Sequence, residues 1–259
     1  MNAVSGIEAV YMDAINWSDT ARATSDTNDL YSLFSDFGNV PFGGFEETGQ
    51  ATVHEIGYES DLDSVEVNWR HGFMKPSYKQ SGAFVIGFRY LKLDERFRFN
   101  TEVLPHFDPI NNVNRNAATM DYEVNVNNDI YGPQIGADFI TCLFPSVMLG
   151  TEIKGGVMAN SAEQRTNITV INPGATTTNE RARDDDVSFI LESNIYGLFQ
   201  FHPLWKARIG YQLLYLTGIA TGLDNFNSEP PFLGTRTPFL DTNGNAFYHG
   251  AYFGVEFGW

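Results

Sequence analysis

The sequence has one cysteine, Cys142, so neither an intrachain disulfide nor a cysteine-cluster zinc site can be built. Basic residues are scarce: 16 Lys and Arg stand against 32 Asp and Glu, a formal net charge of -16. Nucleic acid is therefore not an expected partner, because phosphate binding needs clustered Lys and Arg. No apolar run reaches the ~18 residues of a transmembrane helix. Strands cross a membrane with a weaker signal, so that absence leaves a β-barrel open. No Lys or Arg occurs before Arg22 and no apolar stretch follows Met1, so no secretory signal is expected in the chain as it stands. Aromatic residues, by contrast, are plentiful, with 21 Phe and 12 Tyr. A disordered acidic segment would be poor in them. The 259 residues fit one large β domain, 1–259.

Apolar residues recur with a period of two, the signature of strands whose faces meet different surroundings. At 250–259 the alternate positions are Ala251, Phe253, Val255, Phe257 and Trp259, against Gly250, Tyr252, Gly254, Glu256 and Gly258. Residues 204–216 repeat the pattern with Trp205, Ala207, Ile209, Tyr211, Leu213 and Tyr215. So do 187–201 and 147–158, and, in shorter form, 131–139, 84–90 and 65–69. The stretch 7–16 fits a strand or a helix face and is taken as a strand.

Two readings of the alternation compete. A soluble barrel turns its apolar face inward, whereas an outer-membrane barrel turns it to lipid. Three features favour the membrane. The apolar face carries large aromatics near strand ends, and Trp69, Phe84, Phe139, Trp205, Ile209, Phe253, Val255, Phe257 and Trp259 are the expected lipid-facing belt. The polar face is rich in glycine, which weakens a solvated strand but makes room in a crowded lumen. Its charges nearly balance: Glu66, Asp138, Glu152, Glu192 and Glu256 against Arg70, Arg89, Lys154, Lys206 and Arg208. Enclosed charges need partners, so these are the expected lumen network, and the acidic excess falls to the loops.

Connections alternate between short (71–81, 142–146, 202–203) and long (17–50, 104–118, 159–186, 221–245), as periplasmic turns alternate with extracellular loops. The apolar phase flips near 58–64, 90–91 and 127–129. Hairpins at the flips give about eleven strands, and bulges give about eight with upper parts beyond the bilayer. Bulges are preferred, because ~9–11 residues suffice to cross.

The runs "ESDLDSVEVNWRHGF", "GAFVIGFRYLKLDERF" and "NNDIYGPQIGADF" then resemble the beta-barrel porin type 7 family of planctomycete outer membranes. "LWKARIGYQLLYLTGIA" and "HGAYFGVEFGW" resemble its closing strands, and "GIEAVYMDAINWSDTA" an earlier one. The resemblance implies an exported outer-membrane barrel without catalytic residues. It also implies further N-terminal strands, so the chain is expected to be the C-terminal part of a larger barrel. Outer-membrane lipid and, through the C-terminal strand, the barrel-assembly machinery are the expected partners.

Little else points to chemistry. His54, His71, His106, His202 and His249 are scattered, and no Ser stands beside a His in a catalytic arrangement. "DTNGN" at 241–245 starts like an EF-hand loop, but Ala246 and Tyr252 stand where glycine and glutamate belong. "RARDDD" at 181–186 and "DLD" at 61–63 offer oxygen ligands that could bind calcium, but polar hairpin tips rich in turn formers are the expected reading. "NIT" at 167–169 is a chance sequon. No cofactor, metal or enzyme activity is expected. The expected fold is all-β, an antiparallel up-and-down transmembrane barrel with an interior filled by side chains at about eight strands. Its function would be porin-like or structural, with small-solute passage left open. The alternatives are a surface adhesion scaffold using the long loops and a soluble lipocalin-like binding barrel.

Overall fold

The computed structural model describes residues 5–32, 34, 46–72, 79–109, 112–228 and 237–257, with the backbone alone at 13–15, 46, 256 and 257. The period-two segments form long strands: β1 (Ser5–Thr24), β2 (Val53–Gly72), β3 (Gln80–Val103), β6 (Ala118–Phe144), β7 (Val147–Asn172), β8 (Gly174–His202), β9 (Trp205–Ile219) and β10 (Gly244–Phe257). A small pair, β4 (His106–Asp108) and β5 (Val113–Arg115), lies in the connection between β3 and β6. The long strands form one antiparallel 8-stranded sheet in the order β1-β2-β3-β6-β7-β8-β9-β10. Each connection is thus a hairpin or its longer equivalent, as the alternating lengths require.

The sheet curls. Ser60 on β2 and Tyr248 on β10 lie six ladder steps apart, about 29 Å across a flat sheet at ~4.8 Å per step. Their hydroxyls are 3.0 Å apart. Arg89 on β3 and Glu192 on β8 meet at 2.6 Å. One face is therefore internal. β1 and β10 end the ladder, and among the described residues they are not paired with each other.

The two faces exchange chemistry at one row of the sheet. Tyr11, Val65, Tyr90, Tyr131, Ala159 and Val187 are successive cross-strand partners on the outer face. Below this row the outer face is apolar and exposed, as at Val67, Trp69, Phe84, Ile86, Ile135, Ile153, Phe189, Ile209 and Phe253. Two residues above it runs Asp63, Lys92, Asp129, Ser161 and Asp185, followed on the same face by Glu59, Arg96, Arg98, Glu123 and Arg165. Inside, the order is reversed, with Glu66, Arg89 and Glu192 below and Leu62, Leu93, Phe97 and Val124 above.

This exchange corrects the reading of the phase flips. The β2–β3 and β3–β6 ladders run without any register shift through 58–64, 90–91 and 127–129, so no bulge or hairpin lies there. The strand keeps its alternation, while the surroundings of each face swap. Among the described residues the long strands number eight. Among the described residues the register shifts near this level on β1, between Asp13 and Ile15, and in the β9–β10 ladder opposite Gly218, between Gly244 and Asn245. Three of the expected long loops also shorten. β1 continues to Thr24, β4 and β5 occupy part of 104–118, and 159–186 is a hairpin in which β7 and β8 pair as far as Asn172 and Gly174. Backbone groups beyond the apolar band still need partners, and the ladder supplies them. Much of the acid expected in loops therefore stands on strand faces.

The chain after β9 turns inward. Gly218 has φ +75, open to glycine at little cost, and its carbonyl accepts from Asn160 Nδ2 (3.1 Å) and Ser188 Oγ (2.5 Å). Asn128 then clamps Ala220 by both backbone groups, each at 2.8 Å.

Candidate functional site

The interior is stacked in layers. In the lowest, Arg89 on β3 lies between Glu66 on β2 (3.3 Å) and Glu192 on β8 (2.6 Å), and Lys154 on β7 bridges the same carboxylates at 2.9 and 3.2 Å. All four are buried. Their remaining hydrogen-bonding capacity is met by Asn68 and Gln134 donating to Glu66 (3.0 and 2.6 Å), Asn194 donating to Glu192 (2.8 Å), and Arg89 Nε donating to Ser64 (2.8 Å). A second group centres on Arg70, which holds Glu8 (3.0 Å), Asp138 and Glu152 (3.6 Å). Tyr196 donates to Asp138 at 2.7 Å, and Arg208 lies 3.9 Å from the centroid of the Tyr196 ring. Ions removed from water are tolerable only when paired in this way.

Above them lies an aliphatic layer of Leu62, Leu91, Leu93, Ile130, Met158, Ile190, Leu214 and Leu216. The top layer is aromatic. Phe34, from the segment after β1, and Phe226, from the inward turn after β9, pack against Phe97, Phe99 and Tyr122 with centroids 4.6–6.3 Å apart. The loops thus supply part of the filling.

Glycine makes this crowding possible. A Cβ on Gly150 would lie 2.2 Å from the Tyr196 ring, and one on Gly136 would lie 2.8 Å from Lys154 Cγ. The ring and the ammonium stem occupy space that a side chain would fill.

Of the residues expected in the network, Glu66, Arg70, Arg89, Asp138, Glu152, Lys154, Glu192 and Arg208 converge here. Lys206 pairs in the ladder with Glu256, whose side chain lies outside the described residues. Glu8, Ser64, Asn68, Gln134, Asn194 and Tyr196 were missed. Their signal was position: each shares the internal parity of a charged neighbour. Among the expected belt residues, Trp69, Phe84, Trp205, Ile209, Phe253 and Val255 are exposed on the outer face, and Phe139 is half-buried. The side chain of Phe257 and all of Trp259 lie outside the described residues.

A cavity of about 650 Å³ opens between Glu8 and Met12 on β1 and Tyr252 and Phe253 on β10, and reaches Glu66, Arg89 and Lys154. It marks the seam where the ladder ends.

The remaining motifs are structural. Asp241 accepts from the backbone and side chain of Asn243, both at 2.8 Å, which makes "DTNGN" a turn. Arg165, Arg181 and Arg183 all donate to Glu163 on the outer face of the β7–β8 hairpin. The Arg181 contact, with the other two, holds the Glu163 carboxyl down at about 2. No group of three His, Cys, Asp or Glu able to hold a metal occurs among the described residues.

No curated protein and no solved structure matches the chain. A family model, described as Putative beta barrel porin-7, matches residues 40–259, which take in every strand from β2 to β10. With an all-β antiparallel sheet and a match over most of its length, the chain belongs to that porin-7 family.

Proposed function

We propose that the protein is an outer-membrane β-barrel whose interior is occluded, a structural or anchoring relative of porins that performs no chemistry. One observation carries this reading. Among the described residues, the outer face bears no Asp, Glu, Lys or Arg between the Tyr11–Val187 row and the lower turns, although the same strands are densely charged above it. An exposed apolar surface of that extent marks an interaction face, and its band across all eight strands supports hydrocarbon as what it meets. Its height fits. Leu149 to Ala159 on β7 span about 33 Å of strand, or about 25 Å along the membrane normal at a tilt near 40°. Tyr11, Tyr90, Tyr131 and Tyr215 would form the upper aromatic girdle, and Trp69, Phe84 and Trp205 the lower. The long connections would then be extracellular, the short turns periplasmic, and the last strand the one offered to the assembly machinery.

The stacked layers favour a plugged barrel over a diffusion pore, since an eight-stranded interior is just wide enough for side chains to fill. The test is refolding into lipid vesicles and planar bilayers. The protein should need detergent to stay dispersed, insert into vesicles, and show no unitary conductance. A monomer stable in plain buffer would overturn the membrane reading, and steady channels would overturn the occlusion.

A second reading has its own observation. The β7–β8 hairpin runs from Ala159 to Asn172, about 43 Å of strand beyond the row. That is more than anchoring requires, and it would suit a surface-binding scaffold.

A further inference from the structure

Every buried carboxylate among the described residues but one has an Arg or Lys partner. Glu66 and Glu192 have Arg89 and Lys154, Asp138 and Glu152 have Arg70, and Asp108 has Arg115. The exception is Glu95 on β3, which is only 4% exposed. It accepts from Gly222 N–H at 2.8 Å and is hydrogen-bonded by Tyr58. Those bonds orient it but bring no positive charge.

Glu95 lines a cavity of about 720 Å³ above the membrane row, between β1 and β10. Trp17, Tyr58, Ser60, Asp224 and Tyr248 share the wall. The rings of Trp17 and Tyr58 stand 5.5 Å apart at 59°. Asp224 adds a second carboxylate, and no Lys or Arg lines the space. The placement of Trp17 depends on the irregularity in β1. Tyr11 pairs with the outward Val65, but past the register shift between Asp13 and Ile15 Trp17 pairs with the inward Ser60. One extra residue has turned an indole onto the inner face, a known use of a bulge.

We propose that this cavity binds an organic cation, an amine or guanidinium seated against the Trp17 and Tyr58 rings with its charge on Glu95 and Asp224. Aromatic faces attract cations, and a buried carboxylate lacking a counter-ion gains most from one. A neutral sugar could stack on the indole but would leave Glu95 uncompensated. The chain's net charge of -16 also concentrates cations near its surface. Access is through the seam, where Trp17 and Leu223 stand half-exposed at 50% and 59%.

A pH dependence follows. Burial, with Asp224 adding to it, pushes the Glu95 carboxyl above the usual carboxylate range. The other titratable groups around the cavity are Tyr58, Tyr248 and His249. A cation must therefore displace a proton from Glu95 in acid, and binding weakens as pH falls.

The experiment uses the full chain folded in detergent, titrated with choline, L-arginine amide and spermidine, with glucose as the neutral probe. Tryptophan fluorescence and calorimetry are read together. At least one cation should bind saturably and glucose should not. Glu95→Gln keeps an acceptor for Gly222 and should weaken the cation about tenfold or more, whereas Asp63→Asn, on the outer face, should not. Trp17→Phe should lose the fluorescence response while retaining a weaker heat. No saturable response to any of the three cations at millimolar concentration, equal binding of glucose, or full affinity in a folded Glu95→Gln variant would each overturn the proposal.

Discussion

Replacing Arg89 with Met tests whether the lower interior is a compensated ionic layer. Arg89 is 1% exposed and lies between Glu66 and Glu192. The substitution keeps most of the stem and removes the charge. Breaking a buried pair by deleting one partner costs about 3–5 kcal/mol, mostly because the other charge stays buried. Lys154 still bridges both carboxylates, so the lower end, about 3 kcal/mol, is expected. Adding Glu192→Gln leaves one carboxylate, Glu66, opposite one ammonium, Lys154. The double variant should recover about 2 kcal/mol of the loss relative to the sum of the singles, since residues in one network couple strongly. The assay is urea unfolding of vesicle-inserted protein, followed by tryptophan fluorescence. If Arg89→Met costs under ~1 kcal/mol, or the two substitutions simply add, the charges are hydrated and independent, and the compensated layer does not exist.

Further tests address the other layers. Ile153→Arg and Asn167→Arg lie on the outer face of the same strand, below and above the chemical boundary. The first should cost about 2–4 kcal/mol and impair insertion, and the second should be nearly neutral in a heat-modifiability gel. Gly150→Leu should displace Tyr196 from Asp138 and lower thermal stability, whereas Gly254→Leu, with nothing within 4 Å of its Cβ, should be tolerated. Glu163 is held down at about 2, so its contribution is fully present above the usual carboxylate value of 4.5 and fades as pH falls from there through about 2. Amide protection in the outer half of the β7–β8 hairpin, corrected for intrinsic exchange, should weaken over that window and lose the dependence in Glu163→Gln. The effect should be small, because the surrounding arginines are solvent-exposed.

The sequence by itself determined that the chain is built of antiparallel strands, because period two and alternating link lengths are local properties of the chain, but it left their number between about eight and about eleven. Of the ten charged residues expected inside, eight come together in the structure, while Lys206 and Glu256 are linked only as ladder partners. Three things were decided only by the tertiary structure. Whether a phase flip is a bulge or a change of surroundings depends on what lies across the ladder: Tyr90 and Leu91 are consecutive residues of an unbroken strand, and only the neighbours show that one faces outward and the other a packed interior. The filling of the upper interior by Phe34 and Phe226 depends on where two distant loops fold. Nothing in the sequence sets Glu95 apart from its charged neighbours, and its lack of a counter-ion is visible only with Tyr58 and the turn at Gly222 packed around it. Periodicity tells which residues share a face. Charge compensation and solvent are properties of the assembled neighbourhood, and no stretch of sequence contains that neighbourhood whole.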